Sequence, residues 1–266
     1  MRRWVVAFWL IGLVSKACAG DLELPTLRGS NFTPTAPSFF NWSGFYAGGH
    51  VSYQTTSADF SAATSDLVAH SLRLLALEDE QHVSTWPVLG KATTGTSGFG
   101  GFGGFNTQWD EAILGLDVTY TRSNTSLVAP NFPLTRSVSA GGNAYVVTLS
   151  GAATLRLIDY ATARVRAGYI MNNFLPYVTL GVAAARVDTT RSVTIPLTEN
   201  GNPFSFSESD AKNASFVYGW AAGGGVDVAV LPNVFLRGEY EYVSFQAISG
   251  IGTTVQAVRL GGGIRF

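Results

Sequence analysis

Acids and arginines recur at alternate positions along this chain, inside runs whose other alternate positions are apolar. Asp117, Asp227, Glu239 and Glu241 fall on the same side of such runs as Arg164, Arg166, Arg237, Arg259 and Arg265. Successive side chains of a strand point to opposite faces, so these residues share one surface if the runs belong to one sheet. Four acids facing five arginines have two uses. They pair into a buried network, in which arginine's planar fork gives a carboxylate two hydrogen bonds at once, or they line a narrow conduit for ions. Charge leaves water only when it is paired and hydrogen-bonded. The pattern therefore predicts an internal polar core of mutual pairs, with a gated passage as the alternative.

Other candidate chemistry is thinner. His50, His70 and His82 are the three histidines, and no Cys or carboxylate stands at ligand spacing around them. Neither a metal nor another cofactor is expected. A Ser-His-acid hydrolase would need one of these histidines, but serine is so frequent that such a pairing carries little information, and no enzymatic activity is expected. The run Gly98-Phe99-Gly100-Gly101-Phe102-Gly103-Gly104-Phe105 has the composition of a phosphate-cradling loop. It continues at period two, however, without the following helix or the acidic partner such a loop requires, so small strand residues beside bulky neighbours explain it better. The Asn-X-Ser/Thr triplets at Asn31, Asn41, Asn124 and Asn213 are short enough to recur by chance.

The elements that must position the charges are eight alternating segments: Gly44–Gln54, Gly98–Thr107, Glu111–Thr121, Tyr160–Ile170, Pro176–Arg186, Phe216–Val230, Val234–Phe245 and Val255–Phe266. Each has the ten or so residues that a tilted strand needs to cross a bilayer. Their outward positions are Leu, Val, Tyr, Trp and Phe, which a soluble sandwich would not expose on every strand. Connections alternate between short ones, at 108–110, 171–175 and around Pro232-Asn233, and mostly long ones, at 55–97, 122–159 and 187–215. Segregation of this kind matches the periplasmic turns and extracellular loops of a membrane barrel with both ends on the periplasmic side. The expected fold is all-β, an eight-stranded antiparallel up-and-down transmembrane barrel over residues 42–266. The Tyr145–Leu149 run after the Ala140-Gly141-Gly142-Asn143 turn suggests a hairpin above the membrane, and leaves ten strands as the alternative. Within the first long loop, Ser65–Glu80 fits a short amphipathic helix presenting Leu67, Leu72 and Leu75.

At the amino terminus, Met1-Arg2-Arg3, an apolar run from Trp4 to Val14 and the small residues Ala17-Cys18-Ala19 follow the order of a secretory signal. The run is too short to span a bilayer as a helix. Cleavage after Ala19 or Gly20 removes the one cysteine; acylation of Cys18 as a lipoprotein is the rival reading, against which Ser15 stands where Leu is usual. Residues 20–41, bearing Pro25, Pro34 and Pro37, read as an extended periplasmic segment. A net charge of −1 excludes the basic balance of a nucleic-acid binder. With 13 % charged residues, 12 % aromatics and 30 glycines, the chain is also far from the polarity of a disordered one.

Four stretches carry a resemblance. They are Asn41-Trp42-Ser43-Gly44-Phe45-Tyr46-Ala47-Gly48-Gly49, then Ala163–Tyr169 followed by Asn173–Val178, then Gly219-Trp220-Ala221-Ala222-Gly223-Gly224-Gly225-Val226, and the closing strand to Phe266. In these the chain resembles the outer-membrane immunogenic proteins of alphaproteobacteria, the porin-like barrels of the 25 and 31 kDa class. The resemblance implies an OmpA-like barrel in the bacterial outer membrane with surface-exposed, antigenic loops. It also implies that Phe266, with the outward residues Ile264, Leu260 and Val258, forms the assembly signal read by the barrel-insertion machinery. Outer-membrane lipid and, during assembly, periplasmic chaperones are then the expected partners, and no nucleic acid is. The function expected is a structural, porin-like one with narrow passage of ions or small solutes. The alternative is a surface receptor or adhesin whose long loops bind a host molecule or a small ligand such as haem.

Overall fold

The computed structural model describes residues 41–266; the predicted signal peptide and the segment up to residue 40 lie outside the described residues. Nine strands follow in order: β1 (Gly44–Asp59), β2 (Lys91–Trp109), β3 (Ala112–Val128), β4 (Leu134–Ala140), β5 (Asn143–Tyr169), β6 (Phe174–Glu199), β7 (Asn202–Leu231), β8 (Val234–Ile248) and β9 (Ile251–Arg265). All neighbours are antiparallel, β3 pairs with β5, and β1 pairs with β9, so eight strands close a ring. Closure removes every edge within the ring, the condition for a sheet to stand in lipid. β4 pairs with β5 alone and stays outside the ring, forming the hairpin expected above the membrane; the ten-stranded alternative does not form.

The lower part of each ring strand shows apolar residues to the outside. Val51, Leu116, Val165, Leu180, Leu236 and Leu260 are all exposed, each on a different strand. Aromatics mark the two ends of this band, with Phe45, Trp109, Tyr169 and Phe174 near the short turns and Tyr53, Tyr120, Tyr218 and Tyr240 nearer the far side. Such girdles sit at the two membrane interfaces of a barrel.

Above the band the strands do not stop. Segments expected to be the long loops 122–159 and 187–215 are largely strand, and they rise as a crown of hairpins. Three crown turns, Gly141-Gly142, Asn200-Gly201 and Ser249-Gly250, have positive φ at both residues. That backbone matches the right-handed twist of tight hairpins. The 55–97 connection is partly strand and partly helix, with α1 (Ser65–Leu72) and α2 (Ala76–Gln81) in place of one helix over 65–80. The break falls at Leu75, which is extended (φ −109°, ψ 137°).

Bulges separate band from crown. Register shifts occur between Arg122 and Thr125 in β3, Leu157 and Asp159 in β5, and Val187 and Thr189 in β6. A bulge bends its strand and can re-aim side chains. In β5 it exchanges the inward set, from Tyr160, Thr162 and Arg164 below to Leu157 and Leu155 above. The crown consequently encloses its own apolar core, in which Leu67, Val68 and Leu72 of α1 and Leu77 of α2 pack with Tyr145, Val147, Leu149, Val193, Ile195 and Leu197.

Candidate functional site

Inside the membrane band, strand parity brings eight of the nine predicted charged residues together. Asp117 (β3), Arg164 and Arg166 (β5), Asp227 (β7), Arg237, Glu239 and Glu241 (β8) and Arg259 (β9) are all buried. They form one connected string. Arg166 donates to Asp227 at 2.5 Å, and Asp227 also accepts from Arg237 at 2.9 Å. Arg237 reaches Asp117 at 2.9 Å, and Asp117 meets Arg164 at 2.6 Å. Arg164 in turn holds Glu239 at 2.8 Å and Glu241 at 2.9 Å, and Arg259 grips the same two carboxylates at 2.9 and 2.5 Å. Four acids balance four arginines, so the string is neutral as a whole. Tyrosines complete it: Tyr46 donates to Asp117 and Tyr177 to Glu239, each at 2.8 Å, and the Arg166 guanidinium lies 3.6 Å from the centre of the Tyr177 ring.

The ninth residue is not part of this string. Arg265 lies at the short-turn end, where it donates to the carbonyls of Ser43 and Pro232. The reason is height: β9 ends there, so the inward parity of Arg265 directs it to the mouth instead of the middle. Phe266, Ile264, Leu260 and Val258 all face outward and are exposed. The Phe266 backbone N–H is bonded to the Phe45 carbonyl at 2.9 Å while its ring stays 79 % exposed.

Apolar layers lie on both sides of the charges. Towards the short turns, Trp42, Tyr46, Phe102, Ile113, Ile170, Leu175 and Phe235 form a second buried cluster. Towards the crown, the helices and the crown core close the other end. The chemistry this arrangement offers is mutual neutralisation of charge between layers of buried apolar side chains.

Sequence reading missed one buried cation, Arg191 of the crown. Its Nη1 donates to the Ala63 carbonyl at 2.8 Å and to Asp66 at 2.7 Å, and its Nη2 to Asp210 at 2.6 Å. It thus ties the start of α1 to β7. The Asp210 carboxyl is held below its ordinary value by the Arg191 hydrogen bond. Glu208 is lowered likewise by its bond to His70 on α1. Alternation of Val193, Ile195 and Leu197 before Asn200-Gly201 was the signal that could have revealed this hairpin.

The remaining candidates are dispersed. His50 lies inside the barrel beside Thr121, His70 on α1, and His82 at the end of α2. Among the described residues no group of three or more His, Cys, Asp or Glu could hold a metal ion. The glycine run belongs to β2, where a Cβ on Gly100 would come within 1.9 Å of the Tyr120 carbonyl oxygen and one on Gly104 within 2.2 Å of that of Leu116. Asn124 accepts two hydrogen bonds from Arg156.

The comparison with protein families agrees with this architecture. The family model of the outer membrane protein β-barrel domain matches residues 35–266. The 25 kDa outer-membrane immunogenic protein of Brucella ovis is 27 % identical over 103 residues, which are 39 % of this chain and 41 % of that protein, so the match spans less than half of the relative. Among solved structures, Neisserial surface protein A is 13 % identical, with 84 % of this chain and 98 % of that one covered at a TM-score of 0.37. The attachment invasion locus protein Ail of Yersinia pestis, also 13 % identical, covers 84 % and 99 % at a TM-score of 0.34. The bacterial outer membrane is accordingly where this barrel resides, and the chain belongs to the outer membrane protein β-barrel domain family.

Proposed function

We propose that this protein is a structural outer-membrane barrel that acts through its extracellular crown and does not pass solutes. The observation that carries this reading is the filling of the interior on three successive levels, an apolar cluster, the neutral ion-pair string and the crown core with its helical cap. An eight-stranded barrel is just wide enough for side chains to fill it. The crown, by contrast, presents long hairpins to the outside, where a host molecule or small ligand would meet them. Liposome swelling tests the reading: vesicles containing the refolded protein should take up small sugars no faster than empty ones.

Narrow, porin-like passage is the second reading. It is favoured by the His50 Nδ1, Ser52 Oγ and Thr56 Oγ1 atoms, which lie buried without a hydrogen-bond partner along the inner face of β1. Swelling that changes with Glu239→Ala would support it over the closed barrel.

A further inference from the structure

The outer wall of β3, β5, β6 and β7 carries an apolar groove directly beneath a row that holds two arginines. The groove encloses about 470 Å³ and is lined by Val118, Ala161, Ala163, Val182, Ala184 and Tyr218 among others. Register explains its shape. Tyr120 pairs with Ala161, Ala161 with Ala184, and Ala184 with Tyr218, so one row places two alanines between two tyrosines. The row above it reads Arg122, Asp159, Arg186, Phe216. This upper row lies at the bulges, where the apolar band ends and the crown begins.

The charges of that row are not balanced. Asp159 accepts from Arg186 at 2.5 Å and from the Tyr120 hydroxyl at 3.0 Å. Arg122 is exposed and makes no ion pair among the described residues. The Arg186 Nε–H is buried and meets no acceptor. Further up the same strands, Arg156 is held by Asn124, and Asp188 accepts from the Ala214 backbone at 2.8 Å. Two arginines thus stand on either side of one carboxylate, with their Cα atoms roughly 10 Å apart across two strand spacings, close enough for long guanidinium arms to converge on one anion.

We propose that this wall holds an anionic, phosphate-bearing lipid of the outer leaflet, its headgroup on Arg122 and Arg186 and one acyl chain in the alanine-floored groove. A groove within a lipid-facing band fills with a chain in any membrane; the arginine pair at its upper end is what selects the headgroup.

The test uses the refolded protein in neutral detergent micelles, titrated with phosphatidylglycerol or with phosphatidylcholine of the same chains and read by native mass spectrometry. The wild type should retain phosphatidylglycerol about thirtyfold better, the scale expected for two interfacial arginines. The preference should vanish in R122Q/R186Q, and retention of both lipids should fall in A161F/A163F, whose bulk fills the groove. Because Arg122 makes no ion pair among the described residues, R122Q alone should leave the fold intact and still lower the preference; the gel mobility shift between unheated and heated protein verifies folding in each variant. Equal retention of the two lipids would overturn the proposal. So would a preference that survives R122Q/R186Q, or displacement of the lipid by millimolar inorganic phosphate, which would mark a site for free anions instead.

Discussion

Glu239 and Arg166 sit in the same string with different numbers of partners, and their replacement should show it. Glu239 accepts from Arg164, Arg259 and Tyr177, whereas Arg166 has Asp227 as its carboxylate partner and otherwise stacks on Tyr177. Removing one member of a buried pair leaves the other charge uncompensated, at a cost of about 3–5 kcal/mol. Glu239→Ala should therefore lower the unfolding free energy in urea by about that amount, and Arg166→Ala by less. Unchanged unfolding in both variants would contradict a paired core. At the other end of the chain, Phe266 is fixed by its backbone, while its ring is largely exposed. Its deletion should reduce the amount of barrel reaching the outer membrane more than it lowers the melting temperature of the barrel that does assemble. Normal surface levels of the truncated chain would count against a role for Phe266 in assembly.

At the scale of elements, the helical cap is fastened to the crown by Arg191. The Asp210 partner has its carboxyl lowered by that bond, so the stabilisation is complete above the ordinary aspartate value of 3.8 and is lost as pH falls through the lower folded value. Pepsin cleavage within residues 61–90 should accelerate when pH drops from about 4.5 to about 3 and below, beyond the enzyme's own pH dependence on an unfolded control. In Arg191→Gln it should be fast throughout; equal rates across that range in the wild type would show that the latch does not hold the cap. These elements were also where the sequence was hardest to read. The membrane-spanning segments were legible because lipid outside and polar pairs inside give β6 the pattern Val178, Leu180, Val182 against Thr179, Gly181, Ala183. Above the bulges water lies outside, and the polarity reverses, with Val193, Ile195 and Leu197 inward and Ser192, Thr194 and Thr198 outward. A count that carries one polarity rule along the strand loses it at that boundary, and in β5 the bulge shifts the parity as well.

For the molecule as a whole, the order of layers along the barrel matters more than any one residue. Parity alone shows that Asp117, Arg164 and Glu239 share a face, but pairing distances depend on height, which is why Arg265 shares that face and yet bonds to the Ser43 and Pro232 carbonyls at the mouth. Nor could parity show that helices from the first connection would close the top, since their apolar residues acquire a partner only once the crown hairpins exist. On the proposed reading, the apolar layers on both sides of the neutral string leave no continuous aqueous path. Planar-bilayer recording on the purified, refolded protein tests this most directly. The closed barrel predicts no current above the protein-free baseline at any applied voltage, whereas discrete single-channel steps that change in Glu239→Ala would contradict it.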